Sequence, residues 1–276
     1  MKIIKDLNLG IHTSEASNNF DTIGFVPTMG YLHDGHKSLI KRARDENKIV
    51  VVSIFVNPMQ FAPNEDLDKY PRNLERDIKI CEDLGVDYLF TPEANIIYNE
   101  DFGTQVSLPN LSNRLCGITR PTHFNGVCTV VLKLFNIVQP TNAYFGLKDF
   151  QQYTIIKTMV RDLNLNINIV GCEIVRDEKG LALSSRNAYL SEEEKENALV
   201  LYEAIQYAIK SEEKNTTKLI AILKDIINEK AKVDYVEIVN SDTLQPTTIL
   251  EKETQLIMAA YVGNTRLIDN WRLQAK

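Results

Sequence analysis

The chain is poor in cysteine, poor in histidine and free of long apolar runs, and each scarcity removes a class of protein. Cys81, Cys116, Cys128 and Cys172 lie far apart, with no CxxC pair and no adjacent histidine cluster. Neither a zinc site nor a disulfide framework is indicated, and reduced, buried thiols are expected. The longest apolar stretch, Ile49 to Val56, contains Ser53 and stops at Asn57-Pro58, well short of the roughly 18 residues that cross a bilayer. The N-terminal Met1-Lys2-Ile3-Ile4-Lys5-Asp6 has no sustained apolar core and no small-residue cleavage site, so no secretory signal is expected and a cytoplasmic address is the default. A basic excess is missing too. The formal net charge of -6 leaves no broad surface for nucleic acid, although local basic clusters can still hold a small anion.

What is present is an ordinary globular composition, 276 residues with 44% apolar and 25% charged side chains, enough for one or two domains. Strand-like runs alternate with amphipathic segments: Ile23 to Val26, Lys37 to Glu46, Ile49 to Val56, Leu74 to Leu84, Tyr88 to Phe90. Leu74, Ile78, Cys81 and Leu84 form one helical stripe, and Val50-Val51-Val52 has the unbroken apolar character of a strand buried on both faces. After an irregular stretch from Pro92 to Pro121 the pattern resumes, with a helix from about Val127 to Val138, a strand Ala143 to Phe145, a helix Phe150 to Asp162 and a strand Ile167 to Val170. These elements predict an α/β fold, a Rossmann-like doubly wound parallel sheet over residues 1–175. Beyond it the character changes. Ser191-Glu192-Glu193-Glu194 reads as a capping box opening a charged helix, a second helix covers Thr217 to Lys230, and strand-like runs follow at Tyr235 to Val239 and Leu256 to Val262. Residues 176–276 are therefore expected to form a smaller C-terminal α+β domain.

His33 and His36, half of the chain's four histidines, stand three apart around Gly35, after a predicted strand and before a predicted helix. A helix N-terminus there offers free N–H groups to a phosphate, and Gly35 lets the backbone approach closely. The imidazoles, protonated or donating hydrogen bonds, could stabilise charge building on the α-phosphate and pyrophosphate as an adenylyl group leaves ATP; two surface histidines beside a helix cap would carry the same pattern. Lys148-Asp149, after Phe145-Gly146-Leu147, falls at the strand edge where open α/β sheets bind ligands. Gly146 could admit a ribose, Asp149 accept its hydroxyls and Lys148 meet phosphate, or the pair could only start a helix. Leu183-Ser184-Ser185-Arg186 puts two hydroxyls beside a guanidinium in a loop able to close over a polyphosphate. Gln60 and Gln152 are neutral amides able to orient a hydroxy acid without neutralising its carboxylate. Arg72, Arg120 and Lys133 could attract an acidic substrate or belong to a solvated face.

Taken together, these segments resemble the pantothenate synthetase (pantoate–β-alanine ligase) family of the HIGH nucleotidyltransferase superfamily. The resemblance runs through Val26-Pro27-Thr28-Met29-Gly30, His33-Asp34-Gly35-His36, Phe55-Val56-Asn57-Pro58-Met59-Gln60-Phe61, Tyr70-Pro71-Arg72, Arg120-Pro121, His123-Phe124, Gly146 to Gln152, Gly180 to Asn187 and Leu267 to Asn270. It implies an ATP-dependent ligase that joins pantoate to β-alanine through a pantoyl adenylate, with magnesium and as a homodimer. It further implies that Pro27-Thr28-Met29-Gly30-Tyr31-Leu32-His33-Asp34-Gly35-His36, Gly146-Leu147-Lys148-Asp149, Val175 and Leu183-Ser184-Ser185-Arg186 hold ATP. Met29, Gln60 and Gln152 would hold pantoate, and His36, His33, Lys148, Ser184, Ser185 and Arg186 would carry the chemistry. The family assigns His36 as proton donor; charge stabilisation by both histidines is the preferred physical reading, because pyrophosphate is already a good leaving group. The C-terminal domain would act as a lid. No protein metal ligand is assigned, since Asp77 has no accompanying carboxylate cluster. Two departures stand out: Thr122 replaces the family's usual glycine after Arg120-Pro121, and the segment before Ile23, including Asn18-Asn19-Phe20-Asp21, is divergent. An HxGH nucleotidyltransferase acting on a phosphate ester is the alternative, but it would call for cations where the two glutamines stand.

Overall fold

The unbroken apolar run in the middle of the first half makes a strand that needs cover on both faces, and the fold supplies it. The computed structural model describes residues 1–9, 21–63, 65–251 and 253–273; Asn18, Asn19 and Phe20 of the divergent segment lie outside them. In chain order the first half contains β1 (Lys2–Ile4), β2 (Ile23–Thr28), α1 (Asp34–Glu46), β3 (Ile49–Ile54), α2 (Leu74–Asp83) and β4 (Tyr88–Phe90). Three four-residue helical turns follow, α3 (Ala94–Ile97), α4 (Pro109–Ser112) and α5 (Cys116–Thr119), in the stretch the sequence left irregular. Then come α6 (His123–Val138), β5 (Asn142–Gly146), α7 (Phe150–Asp162) and β6 (Asn168–Cys172). The strands form one parallel sheet in the order β1-β4-β3-β2-β5-β6.

Because successive strand residues point to opposite faces, β3 feeds two cores. Val51 joins Phe25, Phe135 and Ile155 in a core under α6 and α7. Val50 and Val52 join Leu39, Ile40 and Cys81 under α1 and α2. All three valines are fully buried. The winding reverses between β2 and β5, the topological switch point where such sheets bind ligands beyond their strand ends.

The second half contains α8 (Glu192–Ala198), α9 (Val200–Lys210), α10 (Thr216–Asn228), β7 (Lys232–Asn240), β8 (Thr254–Val262) and β9 (Thr265–Leu273). Its sheet is antiparallel, β7-β8-β9. One face packs Ile238, Leu256 and Met258 against the helices; the other sends Val239 and Ile257 into the core of the first sheet. The capping box forms as the sequence predicts: the Glu194 N–H donates to Ser191 Oγ at 3.2 Å and the Ser191 N–H to Glu194 Oε2 at 2.9 Å. Two expectations need correction. The charged helix ends at Ala198 and a separate helix, α9, follows it. A third strand, β9, escapes the apolar pattern because it buries Asp269 and Asn270, each 2% exposed.

Candidate active site

The turn after β2 is held from three directions. Thr28 Oγ1 donates to the Ser53 carbonyl at 2.8 Å and accepts the Gly30 N–H at 3.1 Å. Gly30 takes φ +82° and Tyr31 φ 51°, a left-handed path that suits glycine. A Cβ on Gly30 would lie 2.9 Å from Ile54 Cγ2 and 3.1 Å from Asp77 Oδ2. The buried carboxylate of Asp77, reaching across from α2, accepts the N–H groups of Tyr31 at 2.7 Å and Leu32 at 2.8 Å. Desolvation still raises its pKa, against those two hydrogen bonds.

With the turn fixed, His33 becomes the N-cap of α1. Its Nδ1 accepts the Gly35 N–H at 3.1 Å, and Nδ1 of His36 accepts the His33 N–H at 3.3 Å. An imidazole nitrogen that accepts carries no hydrogen. Burial, reinforced by Lys148, pushes the His33 pKa down to about 4. Burial, reinforced by His33, pushes that of His36 down to about 3. Both rings are therefore neutral near pH 7 and carry their hydrogen on Nε2. Of the two alternatives open from the sequence, protonated rings or hydrogen-bond donors, the contacts and burial favour neutral donors. The rings stand 4.1 Å apart, centroid to centroid.

Across the switch point, the Lys148 turn is tied down by the C-terminal sheet. Asn270 Nδ2 donates to the carbonyls of Leu147 at 2.9 Å and Lys148 at 2.8 Å. Next to it, Asp269 receives both arms of Arg176 at 2.6 and 2.7 Å. The two neighbouring glutamines divide their work. Gln151 is buried, with Oε1 accepting the Cys116 N–H and Nε2 donating to Leu111 and Arg114 carbonyls, while Gln152, which lines the cavity beside it, is half-buried. Gln60 is oriented by Asn57, whose Nδ2 donates to Gln60 Oε1 at 3.1 Å, so that Gln60 Nε2 points to Met29 Sδ at 3.0 Å.

The Ser184 to Arg186 loop arrives from the other half of the chain. The Leu183 N–H donates to the Val175 carbonyl at 3.0 Å, and Ser184 Oγ accepts the Arg186 N–H at 3.2 Å. Arg186 lies over the Tyr70 ring and is forked onto Asp66 at 3.0 and 3.1 Å. Its guanidinium is committed to a carboxylate of the facing loop. Tyr189 Oη also donates to Asp66, at 3.3 Å.

These pieces enclose a cavity of about 870 Å³ lined by Pro27, Thr28, Met29, His33, Gly35, His36, Gln60, Gly146, Lys148, Asp149, Gln152, Val175 and Leu183 to Arg186. Five residues of the expected nucleotide site do not line it. Leu32 is fully buried beneath the turn. Tyr31 and Leu32 border a smaller hollow shared with Ser184 and Ser185, and Gly30 supplies the bend. Asp34 points to solvent, paired with Lys37 at 2.8 Å, and Leu147 faces a separate crevice with Phe150 and Tyr153. Of the three cations considered for attracting an acid, only Arg120 reaches the cavity, where Glu65 holds its Nε at 2.7 Å. Arg72 donates to the Leu67 and Tyr70 carbonyls, and Lys133 lies 4.6 Å from the Phe102 ring centroid.

A family model described as pantoate–β-alanine ligase matches residues 2–272. A pantothenate synthetase from Caldicellulosiruptor saccharolyticus is 54% identical over 254 residues, 90% of either chain. The chain belongs to the pantoate–β-alanine ligase family. The crystal structure of pantothenate synthetase from Thermus thermophilus matches it with a TM-score of 0.93 at 41% identity, over 99% of this chain and all of that one. The Francisella tularensis ligase, solved in complex with β-γ ATP and β-alanine, matches with a TM-score of 0.83 at 38% identity, over 99% and 97% of the two chains.

Within this pantoate–β-alanine ligase fold, sequence reasoning missed the roles of four contributors. Asp77 anchors the turn, Asn270 anchors the Lys148 segment, Asp66 holds Arg186, and His123 lines the cavity beside Gln60. Each acts on a partner distant in the chain, so neither spacing nor periodicity marked it. His123 and Asn270 entered only as part of the family resemblance, and Asp77 only as a magnesium ligand that was weighed and not assigned.

Proposed function

We propose that the chain uses ATP to activate pantoate as pantoyl adenylate, releasing pyrophosphate, and then transfers the acyl group to β-alanine to give pantothenate and AMP. The observation that carries this reading is the lining of one cavity: two neutral imidazole donors, the Lys148 ammonium and two neutral amides, Gln60 and Gln152. Donors without a formal charge at His33 and His36 stabilise negative charge as the α-phosphate is attacked and pyrophosphate leaves. Lys148 adds a point charge, and Gly146 and Asp149 meet the ribose. Ser184, Ser185 and Arg186 close on the phosphates, which requires Arg186 to share or leave Asp66. Val175 borders the nucleotide. Met29, Gln60 and Gln152 hold pantoate by its hydroxyls, leaving its carboxylate free to attack. His36, with a lowered pKa, serves as a hydrogen-bond donor in preference to a full acid.

Residues 1–175 form the binding unit in this proposal, and residues 176–276 a lid that brings Ser184 to Arg186 to the site. Magnesium fits as a companion of ATP rather than a resident ion. Among the described residues no group of three or more His, Cys, Asp or Glu could hold a metal, and both Asp77 oxygens already accept N–H groups. Magnesium retains waters and binds readily through phosphates. A homodimeric state and a cytoplasmic address belong to the same proposal; among the described residues no helix is long and apolar enough to cross a membrane. Exchange of labelled pyrophosphate into ATP tests the reading. It is expected only when pantoate is present, and exchange supported by pantetheine phosphate instead would overturn it.

A further inference from the structure

The ligation half of this reaction needs something the His33–His36 turn does not offer, a lone pair. When the β-alanine nitrogen attacks the acyl carbon, the C–N bond forms and the C–O bond to AMP breaks, its electron pair leaving with the phosphate. The nitrogen must then give up a proton. Of the six carboxylates lining the cavity, Glu65, Asp66 and Asp269 are each held by an arginine, Glu194 accepts the Ser191 N–H, Glu173 is exposed, and Asp149 is given to the ribose in the reading above.

His123 presents the missing acceptor. It opens α6, lines the same cavity and is 9% exposed. Its Nδ1 lies 2.9 Å from the Gln60 carbonyl oxygen, which can only accept, so the hydrogen sits on Nδ1. Burial, reinforced by Arg120, lowers the ring's pKa to about 4. A neutral ring protonated at Nδ1 has a bare Nε2, and this atom has no protein partner among the described residues. The ring is firmly placed. Phe124 meets it edge-on at 4.9 Å between centroids, and Arg120, clamped on Glu65, donates to the same Gln60 carbonyl at 3.3 Å. Gln60 thus anchors His123 through its backbone and faces pantoate through its side chain.

We propose that His123 is the proton acceptor of the ligation step, its Nε2 taking the proton that the β-alanine nitrogen releases as the amide forms and passing it to water. This inference rests on the ligase reading above. A weakly basic ring cannot strip an alkylammonium of pKa about 10. The free amine therefore comes from its own equilibrium with water, and His123 acts after C–N bond formation has made the nitrogen far more acidic.

Two variants of the full chain test this. His123→Asn keeps an N–H near the Nδ1 position for the Gln60 carbonyl and removes the acceptor at Nε2. In wild type and variant, pantoate-dependent pyrophosphate exchange reports the first half-reaction, and adding β-alanine to preformed pantoyl adenylate reports the second. Exchange in His123→Asn is expected to stay within about threefold of wild type while ligation slows by about 10², the usual scale for losing a general base. His123→Ala is expected to regain ligation on addition of imidazole, an effect that a purely structural role would not produce and that does not depend on His123→Asn folding. Equal loss in both half-reactions, unchanged ligation, or no recovery with imidazole overturns the proposal. Absence of pantoate-dependent exchange in the wild-type protein would overturn the ligase reading itself, a result distinct from those three.

Discussion

The His33–His36 turn and the His123–Gln60 contact face one cavity from different elements, and they set the same side chain in opposite tautomers. In the turn, backbone N–H groups donate to Nδ1 and leave the ring hydrogen on Nε2. At His123 a backbone carbonyl accepts from Nδ1 and leaves Nε2 bare. Burial keeps all three rings neutral, with pKa values pushed to about 4, 3 and 4. What differs is the backbone group each ring meets. One wall thereby suits developing negative charge and the other a departing proton, which matches the order of the two half-reactions proposed above.

The strongest way to break this division is at His36. His36→Ala is expected to slow pyrophosphate exchange by roughly 10²–10³, the scale of losing one charge-stabilising donor, and to slow ligation of preformed adenylate much less. Equal losses in the two assays would erase the distinction between the walls.

Asp77 sharpens the donor wall one step further back. Asp77→Ala strips acceptors from two turn N–H groups, so unfolding free energy should fall by about 1–3 kcal/mol and the KM for ATP should rise about tenfold as His33 loses its placement. Denaturant titrations with and without magnesium check the cause. The same loss in both identifies a turn anchor, whereas a loss seen only with magnesium would make Asp77 a metal ligand.

A smaller effect tests the neutrality of the rings. A histidine held at about 4 when folded and at about 6.5 when unfolded leaves the unfolded chain binding more protons between those values. Stability contributed by the neutral ring is then complete above about pH 6.5 and is lost as pH falls toward 4. Thermal melts over that range should show wild type losing stability on acidification, and His123→Asn losing less of it, by roughly 1 to 3 kcal/mol. Parallel curves would show that His123 is charged in the folded protein.

How much of this was legible in the sequence depends on chain distance. The strand, turn and helix around Gly35 announce themselves because the cap contacts span two or three residues, and the valines of β3 reveal burial on both faces without any partner being known. The anchors do not announce themselves. Asp77 meets Tyr31 across 46 residues, His123 meets Gln60 across 63, and Arg186 meets Asp66 across 120. Asn270 hides twice, in a strand whose polar residues break its apolar pattern and 122 residues from the Lys148 carbonyl it holds. Which of the two alternatives holds for the imidazoles, protonated or neutral, was equally out of reach, since protonation follows from burial and from which backbone group each Nδ1 meets.

The most direct test of the opposed tautomers is to record long-range proton–nitrogen correlations of the histidine rings in the uniformly nitrogen-15-labelled protein at pH 7, assigning each ring by single substitution. His33 and His36 should each carry hydrogen on Nε2 with Nδ1 bare, and His123 should carry it on Nδ1 with Nε2 bare. A doubly protonated ring at any of the three, or hydrogen on Nε2 of His123, would contradict the account.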